Sequence, residues 1–409
     1  MSESYTTIQH QADTLCEQKK LNDGEANLYR LYLHSCSPFS AKLRTFMNFK
    51  EIPYKRMQVT LESYQLDIPK LLGRADMPVV LTPDDQVMQD STPMMQWFEE
   101  KYTDHSTIPE DKRLAFFMWL IEEFSDEYIT RFAMHYRWGN DMNRVALSKR
   151  IARTFNYGKS PGNLKGIADF VVSRQSNFDA VLGLSGQAER ANVEQQLKDM
   201  LTILDAHFET YQFLLGDRPS FADFGVYGTL WAHLFNDPYS ACIMEELAPQ
   251  TCGWLEKMSE LGDKRGQAGQ TIFGDWVNLD DAVPETLSKL LEFIGKTYIP
   301  LAKATAAASA KKEKQMRAVV YGLECTFGTS QYRAWSFEQL QTKFQELPNE
   351  DKTFVDKVLE KANVQPSMME ASIVHSTLFD GFTPPFVKDG FVDARVKHMR
   401  SKNKEPKPF

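Results

Sequence analysis

Residues 31–47 read "LYLHSCSPFSAKLRTFM": an alternating apolar run ends in Ser-Cys-Ser-Pro and passes directly into the spacing of an amphipathic helix. Ser37 followed by Pro38 has the form of a helix start, a side-chain acceptor for an early N–H and then a residue that needs no donor. The same junction can support chemistry. A helix N-terminus presents unpaired N–H groups and about half a positive charge, which favours an anion. A hydroxyl donating to a thiolate contributes ~1.5–3 kcal/mol, and one pKa unit is ~1.36 kcal/mol. One serine can therefore lower a bound thiol by one to two units from its ordinary value of about 8.5. Ser37 is either a plain cap or the activator of a bound sulfur. Cys36 is either a buried inert thiol or a nucleophile in its own right.

The pattern around this stretch is strand, helix, strand. "LYRLYLH" (28–34) and "YKRMQV" (54–59) flank a helix over 38–50, and a short helix follows near 61–72. "MPVVLTPDDQVMQDS" (77–91) then reads as a hairpin with a Pro-Asp-Asp turn. Ser91 is expected to cap the next helix, with Pro93 in its first turn. Pro78 at the start of a strand is either an edge proline or a cis residue that turns the Met77 backbone outward toward an extended peptide. Asp90 and Ser91 are either a second cap or a holder for the ammonium and carboxylate of an amino-acid-like end.

Beyond Tyr102 the strand rhythm stops. Helical spacing covers 109–137, 188–213, 220–235 and 243–261, while Gly and Pro in 139–166 predict a loop or short helices. Ser220 and Asp223 form an acidic capping box. Further helices are expected at 283–303, 336–346 and 350–361, with "KATAAASAKKEKQ" (303–315) as fraying helix or linker. The domains expected are a polar leader at 1–27, a compact mixed-sheet unit at 28–103 and an all-helical unit at 104–262. A helical extension at 263–370 and an irregular basic tail at 371–409 complete the chain.

Bulk properties fit a soluble globular chain of two to three units: 409 residues, 42 % apolar and 25 % charged. The net charge of −8 gives no support to nucleic-acid binding. Five scattered cysteines without a CxxC suggest neither a disulfide framework nor a metal site. No signal peptide or membrane-spanning run is evident, and a cytoplasmic location is expected.

Four motifs together resemble the glutathione transferases: "SPFS" (37–40), "MPVVL" (77–81), "QDS" (89–91) and "GDRPSFAD" (216–223). The resemblance covers roughly 28–262. The segments "DEYITRFAMHYRW" (126–138) and "FNDPYSACIMEELAP" (235–249) are similar to a long bacterial-type subgroup that carries an extra helical section. It implies an α+β thioredoxin-like βαβ-α-ββ-α domain followed by an all-α domain. It further implies glutathione as co-substrate, no metal, and a homodimer. Ser37 takes the thiol-activating position, which in cysteine-type relatives holds the catalytic cysteine. Met77, just before the cis proline expected at Pro78, would pair its backbone with the cysteinyl part of glutathione, Asp90 and Ser91 would hold its γ-glutamyl end, and Phe39 and Pro78 are counted with them as glutathione-binding positions. Many relatives have Glu-Ser in place of Asp-Ser. Ser220 and Asp223 match a folding cap.

By position on helix 109–137, Tyr128, Arg131, Tyr136 and Trp138 are candidates for a co-substrate pocket. The function expected is transfer of the glutathione thiolate to a small apolar or aromatic electrophile, a chemistry of detoxification. The rivals are thioether cleavage, dehalogenation or peroxide reduction at the same site, and a binding protein with little turnover.

Overall fold

The computed structural model describes residues 27–158, 162–175, 178–261, 274–280, 283–364, 369 and 383–387. Almost all of the leader, and residues 388–409 of the basic tail, lie outside these. Strand β1 (Tyr29–Leu33) is buried on both faces and sits inside a four-stranded sheet of order β2-β1-β3-β4. β2 (Tyr54–Gln58) pairs with it in parallel, and β3 (Val79–Leu81) in antiparallel. β4 (Val87–Gln89) is antiparallel to β3. Helix α1 (Pro38–Phe49) crosses between β1 and β2. A π-helical turn (Ser63–Asp67) running into α2 (Ile68–Leu72) leads to the hairpin, and α3 (Ser91–Lys101) follows it. The order is the expected βαβ-α-ββ-α unit of a thioredoxin-like domain.

The helical part begins with α4 (Lys112–Phe124), a π-helical turn (Ser125–Ile129) and α5 (Thr130–Gly139). Next come α6 (Asp141–Phe155), where a loop or short helices were expected, and α7 (Leu164–Gln175), mostly beyond that stretch. Asn140 explains the first, because its side chain accepts from the N–H groups of Met142 and Asn143 and starts a 15-residue helix. Then follow α8 (Gln187–Phe208), α9 (Phe221–Thr229) with a π turn (Leu230–Phe235), α10 (Pro238–Leu247) and α11 (Pro249–Glu260). Helix α9 lies against α1 so closely that a Cβ on Gly228 would meet the Pro38 carbonyl oxygen at 2.7 Å. Phe46 of α1 packs edge-on against Phe221 and Phe224 of α9, with ring centroids 5.6 and 5.4 Å apart.

The extension holds α12 (Glu285–Ala310), α13 (Gln331–Gln345) and α14 (Asn349–Lys361). Helix α12 runs on to Ala310, so of the two readings of 303–315, fraying helix or linker, the helix holds over most of the stretch, with Thr305 and Ala308 buried. The expectation of a wholly helical extension needs correction. Strands do recur: β5 (Gln315–Val320) and β6 (Leu323–Gly328) form a hairpin whose two turn residues, Tyr321 and Gly322, have φ +52° and +78°. Finally, part of the supposedly irregular tail lies along the open edge of the sheet. Gln89 N–H donates to Pro385 O at 2.9 Å and Val387 N–H to Val87 O at 2.8 Å, and Phe386 packs edge-on to Trp97. This covers the edge strand β4.

Candidate active site

Strand register decides where the motifs meet. Tyr32 faces Val79, and Val79 faces Gln89. The end of β1, the start of β3 and the end of β4 therefore share one end of the sheet, and with them Ser37, Met77 and Asp90.

At the first junction Ser37 is the N-cap of α1, its Oγ accepting from Ser40 N–H at 3.3 Å. Capping uses one lone pair of the hydroxyl and leaves its hydrogen to donate. Ser37 is half-buried, and no hydrogen bond donated by it is formed among the described residues. Phe39, in the first turn of α1, is half-buried as well. Cys36 is buried, and burial pushes its thiol up, with Arg137 only partly opposing. Its backbone N–H donates to His34 Nδ1 at 3.1 Å. His34 is therefore a neutral imidazole that carries its proton on Nε2, and burial lowers its pKa to about 4.

At the second junction the Met77–Pro78 bond is cis. Met77 is half-buried, and its main-chain N–H and C=O make no hydrogen bond among the described residues.

The third junction departs from expectation. Ser91 is the first residue of α3 and not its cap; the capping position belongs to Asp90, which makes no side-chain cap bond. Asp90 has φ +74°, the left-handed side of backbone space that a non-glycine residue rarely adopts. Its Oδ2 is buried without a protein partner among the described residues. Burial raises its carboxyl to about 6, against hydrogen bonding from Tyr332 and the charge of Lys42. A strained backbone aiming an unpaired carboxylate oxygen beside the open N–H groups of a helix start can hold a zwitterion.

Two features went unseen in the sequence. The Cys36 carbonyl, one residue before Ser37, accepts from Arg137 Nη1 at 2.9 Å and from His233 Nε2 at 3.2 Å. Arg137 is locked in turn by Asp237 through two 2.7 Å bonds. Beneath α1, buried Lys42 joins Thr92 at 2.9 Å, Asp126 at 2.6 Å and Glu122. Burial disfavours its charge, but the two carboxylates outweigh that and hold its pKa above the usual lysine range. A lysine inside the apolar face of α1, and acids at 122 and 126 one turn apart, were the available signals.

The co-substrate candidates are corrected in part. Tyr128, Arg131 and Tyr136 are core residues. The Tyr128 hydroxyl donates to Gln196 Oε1 and accepts from Arg131 Nη1, both at 2.6 Å, and Arg131 Nε caps the Leu182 carbonyl at 2.8 Å. Tyr136 stacks on Tyr239. Only Trp138 belongs to the apolar cluster that includes Cys36, together with Tyr64 and Phe155. Its indole N–H has no partner among the described residues.

A family model described as the N-terminal domain of glutathione S-transferase matches residues 31–106, and one for the C-terminal domain matches 169–261. The chain belongs to the glutathione transferase superfamily. No curated protein matches it. Among solved structures, this glutathione transferase relative is similar to a beta-etherase from Sphingobium sp. strain SYK-6: 16% identity, 58% of this chain, 99% of that one, TM-score 0.44. A glutathione S-transferase from Rhodospirillum rubrum F11 is 20% identical over 62% of this chain and 98% of its own, at TM-score 0.38. The transferase GSTFuA3 of Phanerochaete chrysosporium is 17% identical over 57% and 97%, at 0.41. Neither family model extends past residue 261. Among the described residues no group of three His, Cys, Asp or Glu side chains is placed for a metal, and no helix is long and apolar enough to cross a membrane.

Proposed function

We propose that the chain is a glutathione-dependent transferase that holds glutathione across the three junctions and directs its sulfur at a small apolar or aromatic electrophile. The observation that carries the reading is Ser37, whose hydroxyl caps α1 as acceptor while keeping its proton for a thiolate. The Met77 main chain would pair with the cysteinyl unit. Asp90 would take the γ-glutamyl ammonium, and Ser91 with the α3 N-terminus its carboxylate.

Ser37 donates to the sulfur and stabilises it as thiolate, so that the thiol proton passes to water. A sulfur–carbon bond then forms, and the displaced electron pair departs with a leaving group or is protonated. Lowered thiol pKa and positioning of two reactants supply the rate.

Calorimetry of the full chain with glutathione, followed by product analysis with aryl halide and enone substrates, tests this. Saturable binding and a thioether product are expected. Absence of binding at millimolar glutathione in folded protein contradicts the reading and favours a binding protein without turnover.

A further inference from the structure

Helix α9 and the π turn that continues it meet the chain on both sides of Ser37. Gly228 lies against the residue that follows the serine, since a Cβ there would meet the Pro38 carbonyl oxygen at 2.7 Å. His233, in the π turn, reaches the residue that precedes it, its Nε2 donating to the Cys36 carbonyl at 3.2 Å. Arg137 Nη1 donates to the same oxygen at 2.9 Å. The other side of that peptide is held too: Ser37 N–H donates to the His34 carbonyl at 3.0 Å. The Cys36–Ser37 peptide plane is therefore fixed at its oxygen by two donors and at its hydrogen by an acceptor. Ser37 keeps only its side-chain torsion, which the cap bond from Ser40 N–H restrains.

The His233 side chain makes no other hydrogen bond among the described residues. A carbonyl only accepts, so Nε2 carries the proton, and Nδ1 is left buried without a partner. Burial and the charge of Arg137 keep the ring neutral, with a pKa well below 6.5. A buried acceptor without a donor costs stability. Leucine in its place would strand no polar atom, because the Cys36 carbonyl retains Arg137. What the histidine adds over an apolar residue is one directional bond to the peptide that carries Ser37.

We infer that His233 is a positioning residue for thiol activation: with Arg137 it fixes the Cys36–Ser37 peptide so that the Ser37 hydroxyl points at the sulfur of bound glutathione. This rests on the glutathione reading above. A hydrogen bond weakens steeply as its angle closes, so a small turn of this plane lessens what Ser37 gives the thiolate. Glutathione itself is held elsewhere, by Met77, Asp90 and Ser91, and its affinity does not depend on His233.

The test is ultraviolet thiolate titration of glutathione bound to full-length wild type, His233→Leu, Ser37→Ala and the double variant. His233→Leu is expected to raise the pKa of the bound thiol by about half a unit to one unit, the scale of one neutral hydrogen bond. Calorimetric affinity for glutathione should stay within about twofold, and the melting temperature should not fall. His233→Gln, which keeps an N–H donor near the position of Nε2, should titrate as wild type. In the Ser37→Ala background His233→Leu should add no further shift, because the hydroxyl it positions is gone. Should His233→Leu not fold, His233→Asn, whose amide falls short of the carbonyl, takes its place. An unshifted titration without the His233 donor, or the same shift with Ser37 absent, overturns the inference while the role of Ser37 stands. Wild type that does not bind glutathione, or an unshifted Ser37→Ala, overturns the reading on which the inference rests.

Discussion

The guanidinium of Arg137 donates a 2.9 Å hydrogen bond to the carbonyl of Cys36, so a helix from the all-α part grips the peptide immediately before Ser37. The same side chain forms two bonds to Asp237 and one to the Ala232 carbonyl. The junction between β1 and α1 is thus set from outside its own domain. Arg137→Ala strands the Asp237 carboxylate, whose side chain is 1% exposed. A loss of about 3–5 kcal/mol is expected. Urea denaturation checks it, and Arg137→Ala/Asp237→Ala should be more stable than Arg137→Ala alone.

Ser37→Ala removes the donor to the bound sulfur. The pKa of bound glutathione should rise by about one to two units, read from the ultraviolet thiolate absorbance, with glutathione affinity similar to wild type. Loss of the cap costs about 1 kcal/mol of stability as a separate effect. Cys36→Ala should keep full activity, since burial holds that thiol neutral. An unshifted titration in Ser37→Ala would move the activating role to backbone donors.

Much of this was legible because local chemistry and fold agree. "SPFS" announced a helix start, the alternation of 28–34 announced β1, and Ser220 with Asp223 gave a capping box that the structure contains. What stayed hidden depends on contacts across the chain. The role of Arg137 is not visible in the sequence, because its partners lie 95 to 101 residues away. Tyr128 and Arg131 looked like pocket residues because spacing alone does not say which face of a helix meets α8 and which meets a cleft. The β5–β6 hairpin was missed although "QMRAVV" alternates strictly between exposed and buried positions. Its turn, Tyr-Gly, lacks the usual Asn-Gly or Asp-Gly signal.

Asp223→Ala tests the capping box as a purely structural device. The carboxylate accepts from Ser220 N–H, Ser220 Oγ and Leu214 N–H at 2.7–2.9 Å, fully buried. Leaving those donors without a partner should cost about 2–4 kcal/mol. The melting temperature should fall while glutathione affinity, measured well below it, is retained.

His34 gives a pH dependence with a definite sign. Its imidazole is buried and neutral in the folded chain, with a pKa lowered to about 4, against 6.5 when free. The unfolded chain therefore binds the extra proton first. The stability His34 contributes is complete above pH 6.5 and is lost as pH falls toward about 4, on the order of 3 kcal/mol. Urea denaturation of His34→Gln between pH 4 and 8 should show a flatter acid limb than wild type. An identical limb would mean that other groups set it.

A crystal structure of the full chain with glutathione bound addresses the main claim most directly. The account predicts the cysteinyl sulfur within about 3.5 Å of Ser37 Oγ, the peptide paired with Met77 and the amino group on Asp90. Glutathione bound elsewhere, or its sulfur turned away from Ser37 in an otherwise ordered ligand, would contradict it.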